Sequence, residues 1–261
     1  MSYRTVLSFG DTHCGHLGGL TPPSYQIPLT CDGGKRDRIA LLQRELWDFH
    51  KKKICCVQPD ILILGGDLVD GKQAKAEGED IWSTRRRDQV DAAIACIRPL
   101  VGKNTKVFGV AGTRYHTQGD WENEILEEFD AELVSQSYLE IGGMVFDIRH
   151  KTGLANAPSS RPQIKNDWLH SLIWNAHGDG PKTDVIVRHH AHTYYHEGDG
   201  AYLAIVVPGM QWFSEYGELN INRWIACGAV KFMVSTTRKE LPLWTPIIAK
   251  LESAAVPLLQ V

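Results

Sequence analysis

The chain has 261 residues, 43% of them hydrophobic and 23% charged, with a formal net charge of −3. That balance belongs to a globular protein, excludes a disordered or fibrous chain, and allows one core large enough for a single domain over residues 1–261. The sequence pI near 6.4 gives no overall basic field, so composition does not favour nucleic acid as a partner.

Met1-Ser2-Tyr3-Arg4 leads straight into an apolar run, Thr5 to Phe9, that reads as a buried strand rather than a signal peptide. Leu17 to Gly34 lacks periodicity and reads as a long loop. From Arg38 to Lys53, Ile39, Leu42, Leu46 and Phe49 recur at helical spacing, with basic residues in the last turn where they complement the helix dipole. Asp60 to Leu64 reads as the second strand, and a helix is expected from about Trp82 to Ile97. Arg85, Arg86 and Arg87 open that helix beside Asp88 and Asp91, which reads as a solvated face rather than a phosphate-binding patch. Further strands are expected at Lys106 to Ala111, Met144 to Ile148, Asp184 to Val187, Tyr202 to Val207 and Ala229 to Ser235. A second loop, Lys151 to Ile164, precedes a helix at about Asp167 to Asn175. Early alternation of strands and helices followed by a strand-rich C-terminal half predicts an α/β layered fold.

The six cysteines, Cys14, Cys31, Cys55, Cys56, Cys96 and Cys227, show no C-x-x-C pair and no regular spacing. A reducing compartment is expected. No apolar run approaches the ~20 residues that span a bilayer, so a cytoplasmic protein without membrane contact is expected.

Acidic and imidazole groups follow the strands in order. The first strand ends in Gly10-Asp11-Thr12-His13, the second in Gly65-Gly66-Asp67-Leu68-Val69-Asp70, and the third in Gly112-Thr113-Arg114-Tyr115-His116. His150 follows the fourth, and His189-His190-Ala191-His192 follow the fifth. Taken singly, an aspartate after a strand is a turn or cap residue, and a histidine is a satisfied core group. The ordered set points elsewhere, because the C-terminal edge of a parallel sheet is where α/β sites gather. Mixed carboxylate oxygen and imidazole nitrogen suits divalent transition metals, Mn²⁺ first and Fe or Zn as alternatives, whereas Mg²⁺ and Ca²⁺ take nearly all oxygen. Two such ions held about 3.5–4 Å apart by a bridging carboxylate activate water and clamp the oxygens of a phosphoryl group.

In these blocks the sequence resembles the calcineurin-like metallophosphoesterases, whose pattern runs D-x-H, G-D-x-x-D, G-N-H, a lone H, then G-H-x-H. Asp11 with His13, Asp67 with Asp70, His150, and His190 with His192 match in order, over about residues 5 to 210. The resemblance implies two packed mixed β-sheets flanked by helices, a four-layer sandwich. It also implies that Asp11, His13 and His192 hold one metal, that Asp67 bridges, and that His150 and His190 hold the other. The stretch Val207-Pro208-Gly209-Met210-Gln211-Trp212 is similar to that of members carried by bacteriophages and prophages.

Two departures stand out. Gly112-Thr113-Arg114 replaces Gly-Asn-His, so an amide ligand of the second metal and the acid histidine are both missing in register, and His189 replaces the glycine before the histidine pair. His116 lies two residues beyond the expected histidine. A longer turn would bring its imidazole to the same place as general acid; otherwise it is an ordinary loop residue. Arg114 is a candidate phosphate clamp, since a guanidinium pairs with two phosphoryl oxygens.

The expected activity is therefore hydrolysis of a phosphomonoester or phosphodiester. A DNA-processing nuclease of the same family is one alternative, with basic loops near Lys35-Arg36 and Lys72 as phosphate contacts. A non-catalytic scaffold that keeps the fold is another, favoured by the altered Gly-Thr-Arg segment. The tryptophans, Trp47, Trp168, Trp174 and Trp224 among them, read as core and loop anchors. Trp212 is a candidate pocket wall, and Tyr194, Tyr195 and His196 are candidates for the mouth of the site.

Overall fold

A computed structural model describes residues 2–73, 77–117, 120–152, 161–212 and 225–252. Its strands are β1 (Tyr3–Phe9), β2 (Ile61–Leu64), β3 (Lys106–Val110), β4 (Leu133–Val134), β5 (Gln136–Ile141), β6 (Met144–Arg149), β7 (Val185–Arg188), β8 (Tyr195–Gly198), β9 (Leu203–Val206), β10 (Gly228–Ser235) and β11 (Leu243–Ile248). Its α-helices are α1 (Lys35–Phe49), α2 (Arg86–Ile97), α3 (Arg114–Thr117), α4 (Trp121–Glu127) and α5 (Arg161–His177).

The strands form two mixed sheets. One has six strands in the order β11-β10-β1-β2-β3-β4, and the other five in the order β5-β6-β7-β9-β8. In the first, β1, β2, β3 and β4 run parallel, and β10 and β11 close one edge antiparallel. In the second, β6, β7 and β9 run parallel between antiparallel edges β5 and β8.

Parallel strands covered on both faces read as near-continuous apolar runs. Every residue of β2 is accordingly buried, as is every residue of β7 and β9. Val6, Ile61 and Ile63 from one sheet meet Phe146, Ile148 and Val187 from the other in a shared core, where the rings of Phe146 and Phe232 cross edge to face at 5.7 Å. α1 and α2 cover the outer face of the first sheet through Leu42, Leu46, Val90 and Ile97. α5 covers the second sheet, with Trp168 stacked on Tyr202 at 3.9 Å.

All seven expected strands are present, each within about two residues of the expected bounds. The first helix ends at Phe49, and Lys51, Lys52 and Lys53 lie in a π-turn over His50–Ile54 rather than in the α-helical last turn. The second begins at Arg86, later than expected, and the third begins at Arg161, so Ile164 belongs to α5 and not to the loop before it. Lys35 and Arg36 form the first turn of α1 rather than a loop.

Arg85, Arg86 and Arg87 pair with Asp88, Glu124 and Asp91 on an exposed face, as expected. Trp47 packs beside His50, and Trp174 lies under the Arg149 guanidinium at 4.5 Å, while Trp224 lies outside the described residues. No helix among the described residues is long and apolar enough to cross a membrane.

Candidate metal centre

The C-terminal ends of the parallel strands of both sheets point to one place. Asp11 and His13 leave β1, Asp67 and Asp70 leave β2, His150 leaves β6, and His190 and His192 leave β7. The loops after β1 and β2 remain zipped together, as Asp11 N–H donates to Gly66 O at 2.8 Å and His13 N–H to Asp67 O at 3.0 Å. His189 N–H donates to His150 O at 2.9 Å, which joins the two loops of the second sheet.

Five of these residues hold left-handed backbone: Asp11 (φ 47°), His13 (φ 42°), Asp67 (φ 48°), His190 (φ 68°) and His192 (φ 48°). Each such non-glycine residue costs roughly 1–2 kcal/mol. A concentration of that strain at the ends of three strands marks a functional site.

Three groups of donors converge, with ligand atoms inside each group within 4.8 Å of one another: Asp11, His13 and His192; His13, Asp67 and His116; and Asp67, His150 and His190. All six residues expected to hold metal are therefore brought together, and His116 joins them. His13 Nε2 and His192 Nε2 stand 3.2 Å apart, and His150 Nε2 lies 3.1 Å from His190 Nδ1 and 2.9 Å from Asp67 Oδ2.

The outward nitrogens are already engaged. His13 Nδ1 bonds Asp70 Oδ1 at 2.8 Å, and His150 Nδ1 bonds the Gly65 carbonyl at 2.7 Å. Each leaves its Nε2 facing the cluster, the arrangement in which an outer acceptor fixes the tautomer of a metal-binding histidine. Paired imidazoles and buried carboxylates at this spacing fit a pair of divalent transition ions.

Electrostatics point the same way. Burial opposes ionisation of Asp67, yet the neighbouring His150 and His190 hold its carboxyl well below the usual range; burial likewise opposes ionisation of Asp11, where His189 and His192 prevail. Burial alone would lower His150, but Asp67 beside it lifts the imidazole to about 9. At His13 burial prevails, helped by His116, and its pKa falls to about 4.

Thr113, in place of the amide, turns to the first sheet's aspartate: its N–H and its hydroxyl donate to Asp67 Oδ1 at 2.6 and 3.1 Å. Gly112 is required there, since a Cβ would sit 2.2 Å from Asp67 Oδ1. Arg114 is exposed at the start of α3. Tyr194 receives the Trp244 indole N–H at 3.1 Å, so it ties its segment to β11, and Trp212 packs against the core of the first sheet.

Three further residues belong to the site. Asp70 matched the motif but had no assigned task, and it is the common acceptor for His13 and His116. Glu122 on α4, fully buried, accepts Leu68 N–H at 3.0 Å and Gly112 N–H at 2.9 Å, so one carboxylate braces the loops after β2 and β3. Burial, then the charge of Asp67, raises its pKa to about 7. His189 is buried behind Asp11. Its place before the histidine pair was the only sequence signal for it.

The sequence matches the calcineurin-like phosphoesterase family over residues 4–217. The chain belongs to that family. No curated protein sequence matches it. Among solved structures, it is similar to Vps29 of Entamoeba histolytica in complex with zinc, at 12% identity and a TM-score of 0.45, over 93% of this chain and 99% of that one. It is also similar to an archaeal phosphodiesterase, at 13% identity and a TM-score of 0.43, over 93% of this chain and 99% of that one. A third is a conserved Streptococcus pneumoniae protein, at 10% identity and a TM-score of 0.41, over 94% of this chain and 99% of that one.

Proposed function

We propose that this calcineurin-like phosphoesterase hydrolyses a phosphomonoester or phosphodiester with two divalent transition-metal ions, Mn²⁺ first among them. The observation that carries the proposal is the position of Asp67, whose carboxylate belongs both to the group with His13 and His116 and to the group with His150 and His190. A carboxylate shared by two donor sets is what a bridge between two ions requires. Asp11, His13 and His192 would hold one ion and His150 and His190 the other, with Asp67 shared between them. Bound there, such ions supply Lewis-acid activation of water and neutralise charge on the phosphoryl group.

The chain's own residues do the rest. Asp70 fixes the His13 ring, Gly65 fixes the His150 ring, and Thr113 orients the Asp67 carboxylate. His116, half-buried and held by Asp70, is the general acid for the leaving oxygen; burial works to lower its pKa, and Asp70 and Asp67 raise it overall. Arg114, exposed two residues before it, is the phosphate clamp in this reading, its guanidinium able to pair with two phosphoryl oxygens. The core shared by the two sheets supports reading residues 1–261 as one domain.

The test combines metal analysis of purified protein with hydrolysis of nitrophenyl phosphate, bis-nitrophenyl phosphate, cyclic nucleotides and DNA, with Mn²⁺ added. Two bound metals and chelator-sensitive hydrolysis are expected. Cleavage of DNA would assign a nuclease, and silence on every ester with metals bound would sink the hydrolase.

A further inference from the structure

Resting on the metal centre proposed above, we infer that Ser8 and His189 form a positioning device that fixes one oxygen of Asp11 and leaves the other for metal. His189 is completely buried and stands where the family pattern has glycine. A ring at this position needs space, and two glycines provide it. A Cβ on Gly65 would lie 2.2 Å from the His189 ring, and one on Gly10 would lie 3.1 Å from His189 Nδ1. The ring is thus wedged between the ends of β1 and β2, which leaves it little freedom to turn.

Its two nitrogens are not equivalent. Nε2 lies 3.0 Å from Ser8 Oγ, where the direction of donation follows the tautomer; because Nδ1 faces a carboxylate, which only accepts, we assign the proton to Nδ1 and the donor role at Nε2 to the Ser8 hydroxyl. Nδ1 faces Asp11 Oδ2 at 3.3 Å and, among the described residues, has no well-aligned hydrogen-bond partner. A buried N–H without an acceptor is rare, so this one is aimed at the aspartate for a reason. Asp11 Oδ1 lies instead toward His192 Nε2, at 3.4 Å, on the side of the metal ligands. The backbone N–H of His190 reaches both oxygens at 3.2 Å.

These contacts divide the carboxylate. Oδ2 is directed to His189 and Oδ1 toward His192, so Asp11 would offer a metal at that group one oxygen. An outer partner of this kind typically changes metal affinity about 10–100-fold when removed. Glycine at this position has no side chain with which to reach Asp11, so the device is a property of this chain's own residue.

The test is titration of the apo chain with Mn²⁺ by calorimetry and with Co²⁺ by visible absorption, in wild type, His189→Leu, His189→Asn and Ser8→Ala. His189→Leu should weaken the one binding event that involves Asp11 about 10–100-fold and shift the Co²⁺ spectrum. Ser8→Ala should move both in the same direction by less. His189→Asn, which restores a donor close to the Nδ1 position, should recover most of the loss. That recovery is not expected of a ring that merely fills space. If His189→Leu does not fold, His189→Asn and Ser8→Ala decide the matter. Wild-type affinity and spectrum in Ser8→Ala, with no difference between His189→Asn and His189→Leu where both fold, overturn the inference while leaving the metal centre intact. A wild-type chain that takes up no metal overturns the proposed function and the inference together.

Discussion

His116 Nδ1 lies 3.0 Å from Asp70 Oδ1, the same oxygen that accepts His13 Nδ1 at 2.8 Å. The two imidazole rings meet edge to face at 4.5 Å. One buried carboxylate therefore orients both His13, a proposed metal ligand, and a histidine at the edge of the site. α3 carries the His116 ring over Asp70, with Nδ1 3.4 Å from the Asp70 carbonyl.

A general acid matters most when the leaving group is a poor one. His116→Ala should therefore lose roughly 10²–10⁴-fold on alkyl phosphodiesters and much less on nitrophenyl esters, whose leaving group needs no proton. Metal content should stay at the wild-type level. Loss of one metal together with equal loss on both substrates would instead make His116 a ligand, as its place in the group with His13 and Asp67 also permits.

Asp67→Asn should lower occupancy of both metals together, since an amide bridges poorly and Asp67 faces both donor sets. His13→Ala should empty one site and spare the other. Metal analysis of the two variants checks the pair of outcomes, and wild-type metal content with full activity in Asp67→Asn would remove the bridging role.

Proton release gives a third check. With its pKa lifted to about 9 against burial, His150 is protonated in the apo chain at pH 7.5, yet it must be neutral to bind metal. Metal binding should then release a proton from His150, and the apparent affinity should climb up to about tenfold per pH unit until it levels near that pKa. The stability of the apo fold runs the other way with pH. A raised histidine pKa stabilises the apo fold fully below 6.5, and this contribution fades as pH rises through about 9. Calorimetry in buffers of different ionisation enthalpy measures the proton count, and His150→Ala should abolish that component.

What the sequence disclosed follows from burial. The strands that carry the site are short apolar runs covered on both faces, and such runs announce themselves: Ile61 to Leu64 and Val185 to Val187 are examples. The strands it concealed lie at or near edges. β8 is Tyr-His-Glu-Gly with alternating exposure, β5 mixes polar and apolar residues, and β11 contains Pro246, which only an edge strand tolerates. α3 and α4, at four and seven residues, are too short to show a periodic face. The six proposed metal ligands were legible because each follows a strand in motif order. Glu122 and Ser8 were not, because they act through backbone amides and a buried ring that no local spacing encodes.

Behind the histidine pair lies a buried ion network, and it yields the last prediction. Arg188, at the end of β7 and 1% exposed, donates to Asp147 Oδ2 at 2.9 Å and to Asp167 Oδ2 at 2.7 Å. It also donates to the Asp147 and Val187 carbonyls. Asp147 belongs to β6 and Asp167 to α5, so one guanidinium joins the strand before His150, the strand before His190 and the helix that covers them. Replacing Arg188 with methionine keeps much of the volume but removes the close partner of Asp147 Oδ2 and leaves that buried carboxylate, among the described residues, with Gln136 and a longer 3.4 Å contact to Arg149, both on Oδ1. Removing one partner of such a pair costs about 3–5 kcal/mol. Arg188→Met should therefore lower the urea midpoint strongly, whereas Arg188→Met combined with Asp147→Leu should regain much of the loss, because the stranded charge is gone. Equal destabilisation in the single and double variants would mean that packing of the arginine stem, rather than its charge, holds α5 and the two strands together.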